Sequence, residues 1–209
     1  MSKSDLLVIG AGGHAHACID VIEQHGRYRI AGLIGKADEL HDQHLGYSVI
    51  ATDDDLPQLS NNYQNIFITI GQISSPEVRI KLYQSVVDLG FLLPTIISPR
   101  AYVSKHSTIG KGTIVMHDAV INAGARVGSN CIINTNAMIE HDAIIEDHCH
   151  ISTGVIANGG VHVGMGSFLG SRSVIREGVS IGQRSLIGMG VVVRHNQPDL
   201  TRYIGCDQT

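Results

Sequence analysis

Apolar residues recur at every sixth position through the second half of the chain. From Ile97 the register runs through Val103, Ile109, Val115, Ile121, Val127, Ile133, Ile139 and Ile145 to Val193. Sixteen of its seventeen positions are Val, Ile or Leu, and the other is Ala157. Two residues earlier the side chain is small or β-branched, as at Ala119, Ala125, Cys131, Ala137, Ala143 and Cys149. Glycine often follows the apolar position, as in Ile109-Gly110, Val127-Gly128, Val163-Gly164 and Leu169-Gly170. A period of about six matches neither the helix (about 3.6) nor the alternating strand (about 2). It predicts a β-solenoid, in which short strands meet at corners and each coil stacks on the one below. Three faces make an eighteen-residue coil, so residues 97–193 predict between five and six coils. In this reading the small residue allows the turn, and the glycine after the apolar residue takes positive φ at a corner.

The first half alternates differently. Residues 5–10 (DLLVIG) predict a buried strand, followed by the turn Gly10–Ala15 and a helix from His16 to Glu23. Further strands are expected over Tyr28–Ile34 and Asn65–Gly71, with an amphipathic helix around 76–88. This order predicts a small parallel α/β domain over residues 1–93, a β-helix over 94–196 and a tail over 197–209. Gly10-x-Gly12-x-x-Ala15 matches the relaxed dinucleotide fingerprint, whose glycines admit a pyrophosphate to a helix N-terminus. The acidic residue expected about twenty positions later is missing, because the second strand ends Gly32-Leu33-Ile34-Gly35-Lys36. Hydride transfer is therefore disfavoured. The diphosphate of a nucleotide-linked sugar suits the same turn, and a ligand-free tight turn is the alternative.

Composition narrows the classes. Aromatics make up 4% of the 209 residues and Trp is absent, so the core must be built from small and β-branched residues. With 24 Gly but only 5 Pro, the chain is neither collagen-like nor a disordered linker. A net charge of −4 offers no global field for nucleic acid or anionic lipid. The four cysteines form no CxxC pair, which fits a reducing cytoplasm. There is no apolar run long enough to span a membrane, and the N-terminal stretch is too short for a secretory signal.

The six-residue pattern resembles the hexapeptide-repeat acyltransferases. That resemblance implies a left-handed parallel β-helix, a homotrimer, and acetyl-CoA bound between neighbouring subunits. The GAGGHA turn joined to such a helix, with Ile139-Glu140-His141-Asp142, is similar to the sialic-acid O-acetyltransferase family. This family includes N-acetyltransferases of nucleotide-linked 4-amino-sugars.

Coil arithmetic sorts the histidines. Residues eighteen apart stack, so His141 has Ala123 below and Gly159 above, while Asp142 lies between Gly124 and Gly160. Such small neighbours leave an open notch. His150 stacks between Ile132 and Phe168 and is more crowded. Acetyl transfer needs a base near neutral pH, for which imidazole with a neighbouring carboxylate is suited. The resemblance implies His141 as general base, Asp142 as its carboxylate and Asn134 as support. It also implies His150 and the Gly159 N–H as acetyl-CoA contacts, and Gly12, Gly13, His14, Ile34, Gly35 and Gly71 as nucleotide-sugar contacts.

The other solenoid histidines (His106, His117, His148, His162 and His195) are read as surface residues. His141, His148, His150 and His162 fall at different offsets within the coil, which disfavours a metal site, so no metal is expected. Cys131 and Cys149 are one coil apart and read as packing residues. Arg172, Arg176, Arg184 and Arg194 are candidates for the coenzyme phosphates, with solvated surface charge as the alternative. Two departures from the family are visible: Ile34-Gly35 replaces an acidic pair, and Ile204-Gly205-Cys206-Asp207 replaces the common ending.

The combined expectation is a cytoplasmic, trimeric, acetyl-CoA-dependent N-acetyltransferase. Its substrate would be a UDP- or dTDP-linked 4-amino-sugar of bacterial surface-glycan biosynthesis, attacking the thioester directly. O-acetylation of a sialic acid or another sugar hydroxyl is the near alternative. A non-catalytic scaffold on the same frame is the alternative from another class.

Overall fold

The structure is a computed structural model that describes residues 3–205, so Cys206 and Asp207 of the departing tail lie outside it. Two compact units are present. Residues 3–71 with Glu77–Ile96 form one, and Gln72–Pro76 with the chain from Ile97 form the other.

In the first unit, β1 (Ser4–Ile9), β2 (Tyr28–Gly35), β4 (Tyr47–Thr52) and β5 (Asn65–Ile68) are joined by parallel pairing. A short β3 (Gln43–His44) adds an antiparallel edge, giving the order β3-β4-β2-β1-β5. The interior strand β1 buries Leu6, Leu7, Val8 and Ile9, the continuous apolar run expected of a strand covered on both faces. Helix α1 (Gly13–His25) starts three residues before the expected His16, because Gly12 is extended and serves as its N-cap. It ends where Gly26 turns left-handed and donates its N–H to the Ile22 carbonyl. The sequence reading missed the β3–β4 hairpin, whose turn places both Leu45 (φ 51) and Gly46 (φ 87) at positive φ. A short α2 (Leu56–Leu59) precedes β5, which leaves the ladder at Ile68 rather than Gly71; α3 (Glu77–Asp88) follows.

The second unit is a parallel β-helix. Among the described residues, seventeen two-residue strands run from Ile96–Ile97 to Val192–Val193, and Arg202–Tyr203 adds another. They form three sheets of six, five and seven strands. As far as Val193 partners within each sheet stand eighteen residues apart, as in Ile121↔Ile139 and Ile139↔Ala157. The repeat residues and the small residues two before them both point inward, making one core from Val115 to Val193.

The structure corrects the expected role of the glycines. The left-handed corner lies three residues after the repeat position. There glycines such as Gly124 and Gly160 alternate with Asp118, Asn130, Asn136, Asp142, His148, Arg172 and Arg184, all at positive φ. The glycine immediately after the repeat residue is required by contact instead. A Cβ on Gly170 would stand 2.5 Å from the Met189 nitrogen and 2.6 Å from the Gly188 carbonyl carbon, and neither main-chain atom can give way.

These two kinds of glycine should respond differently to alanine. At Gly190 (φ +67, with open space around a Cβ) alanine should cost about 1–2 kcal/mol, the left-handed penalty alone. Gly170→Ala should cost about 3 kcal/mol or prevent folding, because it overpacks main chain on main chain. Urea denaturation of both variants distinguishes them; equal losses would refute the assignment.

Candidate active site and nucleotide pocket

In the β-helix unit, Glu140, His141, Asn158, Gly159, Glu177 and Gly178 line a notch of about 570 Å³. His141 ends a corner that Asp142 turns at φ 59, and this turn brings the two side chains together. His141 Nδ1 lies 3.0 Å from Asp142 Oδ2. A carboxylate accepts, so Nδ1 donates, and in the neutral ring the lone pair is on Nε2. Nε2 lies over Gly159, where an added Cβ would come within 2.5 Å of it. Gly124 gives Asp142 the same freedom, since a Cβ there would meet Oδ1. The side chains of His141 and Asp142 are 65% and 74% exposed, so a substrate can reach the pair. Among the described residues the Gly159 N–H makes no hydrogen bond, whereas its carbonyl accepts from Gly178.

Glu140 was missed as a functional candidate. Its Oε2 accepts from Asn122 Nδ2 (2.9 Å) and from the His141 N–H (3.3 Å), holding the base of the histidine. The available signal was the polar column Asn122, Glu140, Asn158 at eighteen-residue spacing.

Asn134 and His150 form a second cluster, with Asn134 Nδ2 3.3 Å from His150 Nε2. His150 is 6% exposed, sits between Ile132 and Phe168 as the coil arithmetic requires, and meets Phe168 edge-on at 5.2 Å. It opens a strand of the seven-stranded face. His141 stands where the six-stranded face turns towards the five-stranded one. The two clusters therefore occupy different parts of the triangular coil.

His148 is not a surface residue. It is 9% exposed, and its Nδ1 lies 2.9 Å from Asn130 Nδ2. His117 Nδ1 meets Ser98 Oγ at 2.7 Å, and His162 Nε2 meets Glu146 Oε1 at 2.8 Å. Cys131 and Cys149 are buried, and burial beside Cys131 pushes the Cys149 thiol well above its usual range. Arg176 reaches Glu177 at 3.5 Å and the Arg194 carbonyl at 3.4 Å, while Arg172 and Arg184 sit at left-handed corners.

The α/β unit has its own cavity, about 710 Å³, at the C-terminal ends of its parallel strands. Gly12, Gly13, His14, Ile34, Gly35 and Gly71 all line it. A Cβ at Gly12 or Gly13 would meet nothing within 4 Å, so the first turn of α1 borders the cavity with open space beside its backbone. That is the geometry of an anion site at a helix N-terminus. Arg79 supports the far wall from beneath, its Nη1 donating to Ile70 O (2.6 Å) and Ile68 O (3.2 Å). Although Ile34-Gly35 carries no acid, Glu39, Asp53 and Asp54 bring carboxylates to the same cavity from the elements beside it. Burial, helped by the neighbouring Asp54 charge, raises the Asp53 carboxyl above its usual range.

A six-residue parallel solenoid with an exposed His–Asp pair over a glycine defines an acyltransferase of the hexapeptide-repeat class. The comparisons locate it more closely. Residues 5–86 match the PglD N-terminal domain, 106–140 the bacterial transferase hexapeptide (six repeats), and 160–194 the hexapeptide repeat of succinyl-transferase. No curated protein matches the chain. A solved perosamine N-acetyltransferase from Caulobacter crescentus, in complex with CoA and GDP-perosamine, is 33% identical with a TM-score of 0.88 over 95% of this chain and 92% of that one. The acetyltransferase domain of PglB from Neisseria gonorrhoeae, in complex with acetyl coenzyme A, is 30% identical with a TM-score of 0.86 over 95% and 94%. WeeI from Acinetobacter baumannii, at 20% identity and a TM-score of 0.80 over 97% of each chain, shares the fold. The chain belongs to the family of hexapeptide-repeat acetyltransferases with a PglD N-terminal domain, and its solenoid is their left-handed parallel β-helix.

The raised Asp53 sets a pH dependence. The native carboxyl binds its proton more tightly than the unfolded one, so its contribution favours folding at low pH and is lost as pH rises through the folded value. Asp53→Asn should therefore raise the thermal midpoint at pH 7, with a smaller gain at pH 4. A gain that does not change with pH would refute this.

Proposed function

We propose that the chain is an acetyl-CoA-dependent N-acetyltransferase acting on the amino group of a nucleotide-linked amino-sugar in bacterial surface-glycan biosynthesis. The observation that carries the reading is His141, with Nε2 over Gly159 and Asp142 on the opposite ring nitrogen. As the amine attacks the thioester carbon, its proton passes to Nε2 and Asp142 stabilises the imidazolium. The Gly159 N–H takes the developing oxyanion. Collapse expels the thiolate, which receives the proton from His141. No acyl-enzyme is needed.

The PglD N-terminal match supports a nucleotide sugar as substrate, its diphosphate at Gly12 and Gly13 and its ribose or base facing Glu39, Asp53 and Asp54. The acceptor set includes UDP- and dTDP-linked sugars, together with GDP-linked ones as in the Caulobacter relative. A homotrimer is part of the proposal, because the His141 and His150 clusters lie on different parts of one coil and a neighbouring copy can join them. The enzyme would act in the cytoplasm, where acetyl-CoA is available; among the described residues no helix is long and apolar enough to cross a membrane.

The test is coenzyme A release, followed with a thiol reagent, over UDP-, dTDP- and GDP-linked amino-sugars and free sialic acid. One amino-sugar should support turnover, and His141→Ala should lower kcat by about 10²–10⁴-fold. Release with sialic acid alone would replace this reading by O-acetylation. Gly159→Ala should lower kcat/KM by about 10²-fold by displacing the imidazole, with the thermal midpoint nearly unchanged because the ring can swing into solvent. Full activity in that variant would remove Gly159 from the site.

A further inference from the structure

Gln72 lies in the short segment that packs with the β-helix unit. It is buried, and its Nε2 donates to the main-chain carbonyls of His148 (3.1 Å) and Gly166 (3.2 Å). Those carbonyls are eighteen residues apart, so the two amide hydrogens bridge equivalent corners of successive coils. The arrangement leaves Gln72 Oε1 buried without a partner, a cost the fold carries to keep both hydrogens on the coil.

The anchored residue turns its own main-chain carbonyl to His150, 2.6 Å from Nδ1. A carbonyl oxygen only accepts, so His150 carries its proton on Nδ1, and the neutral ring presents a lone pair at Nε2. Asn134 agrees with this tautomer. Its Oδ1 is taken by the Thr135 N–H at 2.8 Å, so its NH₂ faces the ring and donates to Nε2 across a long 3.3 Å. A better-placed N–H would displace that bond.

We propose that Gln72 is a positioning residue that fixes His150 as a hydrogen-bond acceptor, and that the group received at Nε2 is an amide N–H of the coenzyme's pantetheine arm. The inference rests on the acetyl-CoA reading above and adds a direction to it. In this tautomer His150 cannot donate to the thioester carbonyl, which leaves that role to the Gly159 N–H. Gln72 acts through His150 and touches no reacting atom.

The experiment uses the full-length protein with ¹⁵N-labelled histidine. Long-range ¹H–¹⁵N correlations distinguish the two tautomers, and His150→Asn identifies the His150 signals. Wild type should show His150 protonated on Nδ1. Gln72→Met, which keeps the length but has no amide, should shift it towards Nε2–H and weaken coenzyme A binding about tenfold by calorimetry, the effect of one lost hydrogen bond. Should that variant fail to fold, Gln72→Glu removes the same donors at the same length. Nε2–H in wild type, or Nδ1–H persisting in the variant, would overturn the positioning role. A shifted tautomer with unchanged coenzyme affinity would overturn the pantetheine assignment. Wild type that binds no coenzyme A would instead defeat the acetyl-CoA reading, while the tautomer still decides the role of Gln72.

Discussion

The parallel ladder of the solenoid requires every residue to lie over the one eighteen positions before it. Main-chain bonds impose this at each rung, from Ile114 N to Cys131 O through to Val174 N to Val191 O. Side chains on the coil are thereby sorted into columns whose members set one another's room. His141 reaches solvent because its column neighbours are Ala123 and Gly159; His150, between Ile132 and Phe168, does not. The same requirement puts glycine after many repeat residues, since the next coil's main chain passes where a Cβ would be. The geometry of the candidate site and the packing here are consequences of one register.

The α/β unit solves a different problem. The chain is net negative, yet the proposed substrate carries a diphosphate. Attraction must then be local, and under the proposed function the start of α1, where the helix dipole is positive and Gly12 and Gly13 leave room, would supply it rather than a basic surface. The carboxylates of Glu39, Asp53 and Asp54 in the same lining would suit hydroxyl and N–H donors of a nucleoside.

The solenoid was legible because its period repeats seventeen times, and the notch because small residues flank His141 at a known spacing. Other features were hidden for physical reasons. The β3–β4 hairpin turns on Leu45-Gly46, and leucine at positive φ is no turn signal. Corner residues such as His148 and Arg172 adopt the left-handed conformation because the coil on either side holds them there, a tertiary demand that no local propensity records. Asp53 and Asp54 reach the cavity from the 3-10 turn that follows β4, the strand beside the one where an acid was sought. Gln72 was invisible, since only the folded coil brings it to His150.

A stack of parallel coils is an invitation to polymerise, because the exposed amides of its last rung are a template on which another molecule can add. Among the described residues the last rung is out of step. Arg202–Tyr203 covers Leu186–Ile187 after sixteen residues instead of eighteen, and Gln197 covers Ile181 in the same shortened stride. On two of the three faces an incoming repeat meets a polar, shifted edge that its own lattice does not match. The two-residue shortfall breaks the period of the solenoid, so a regular eighteen-residue coil laid against these strands would be out of phase with the rest of the stack.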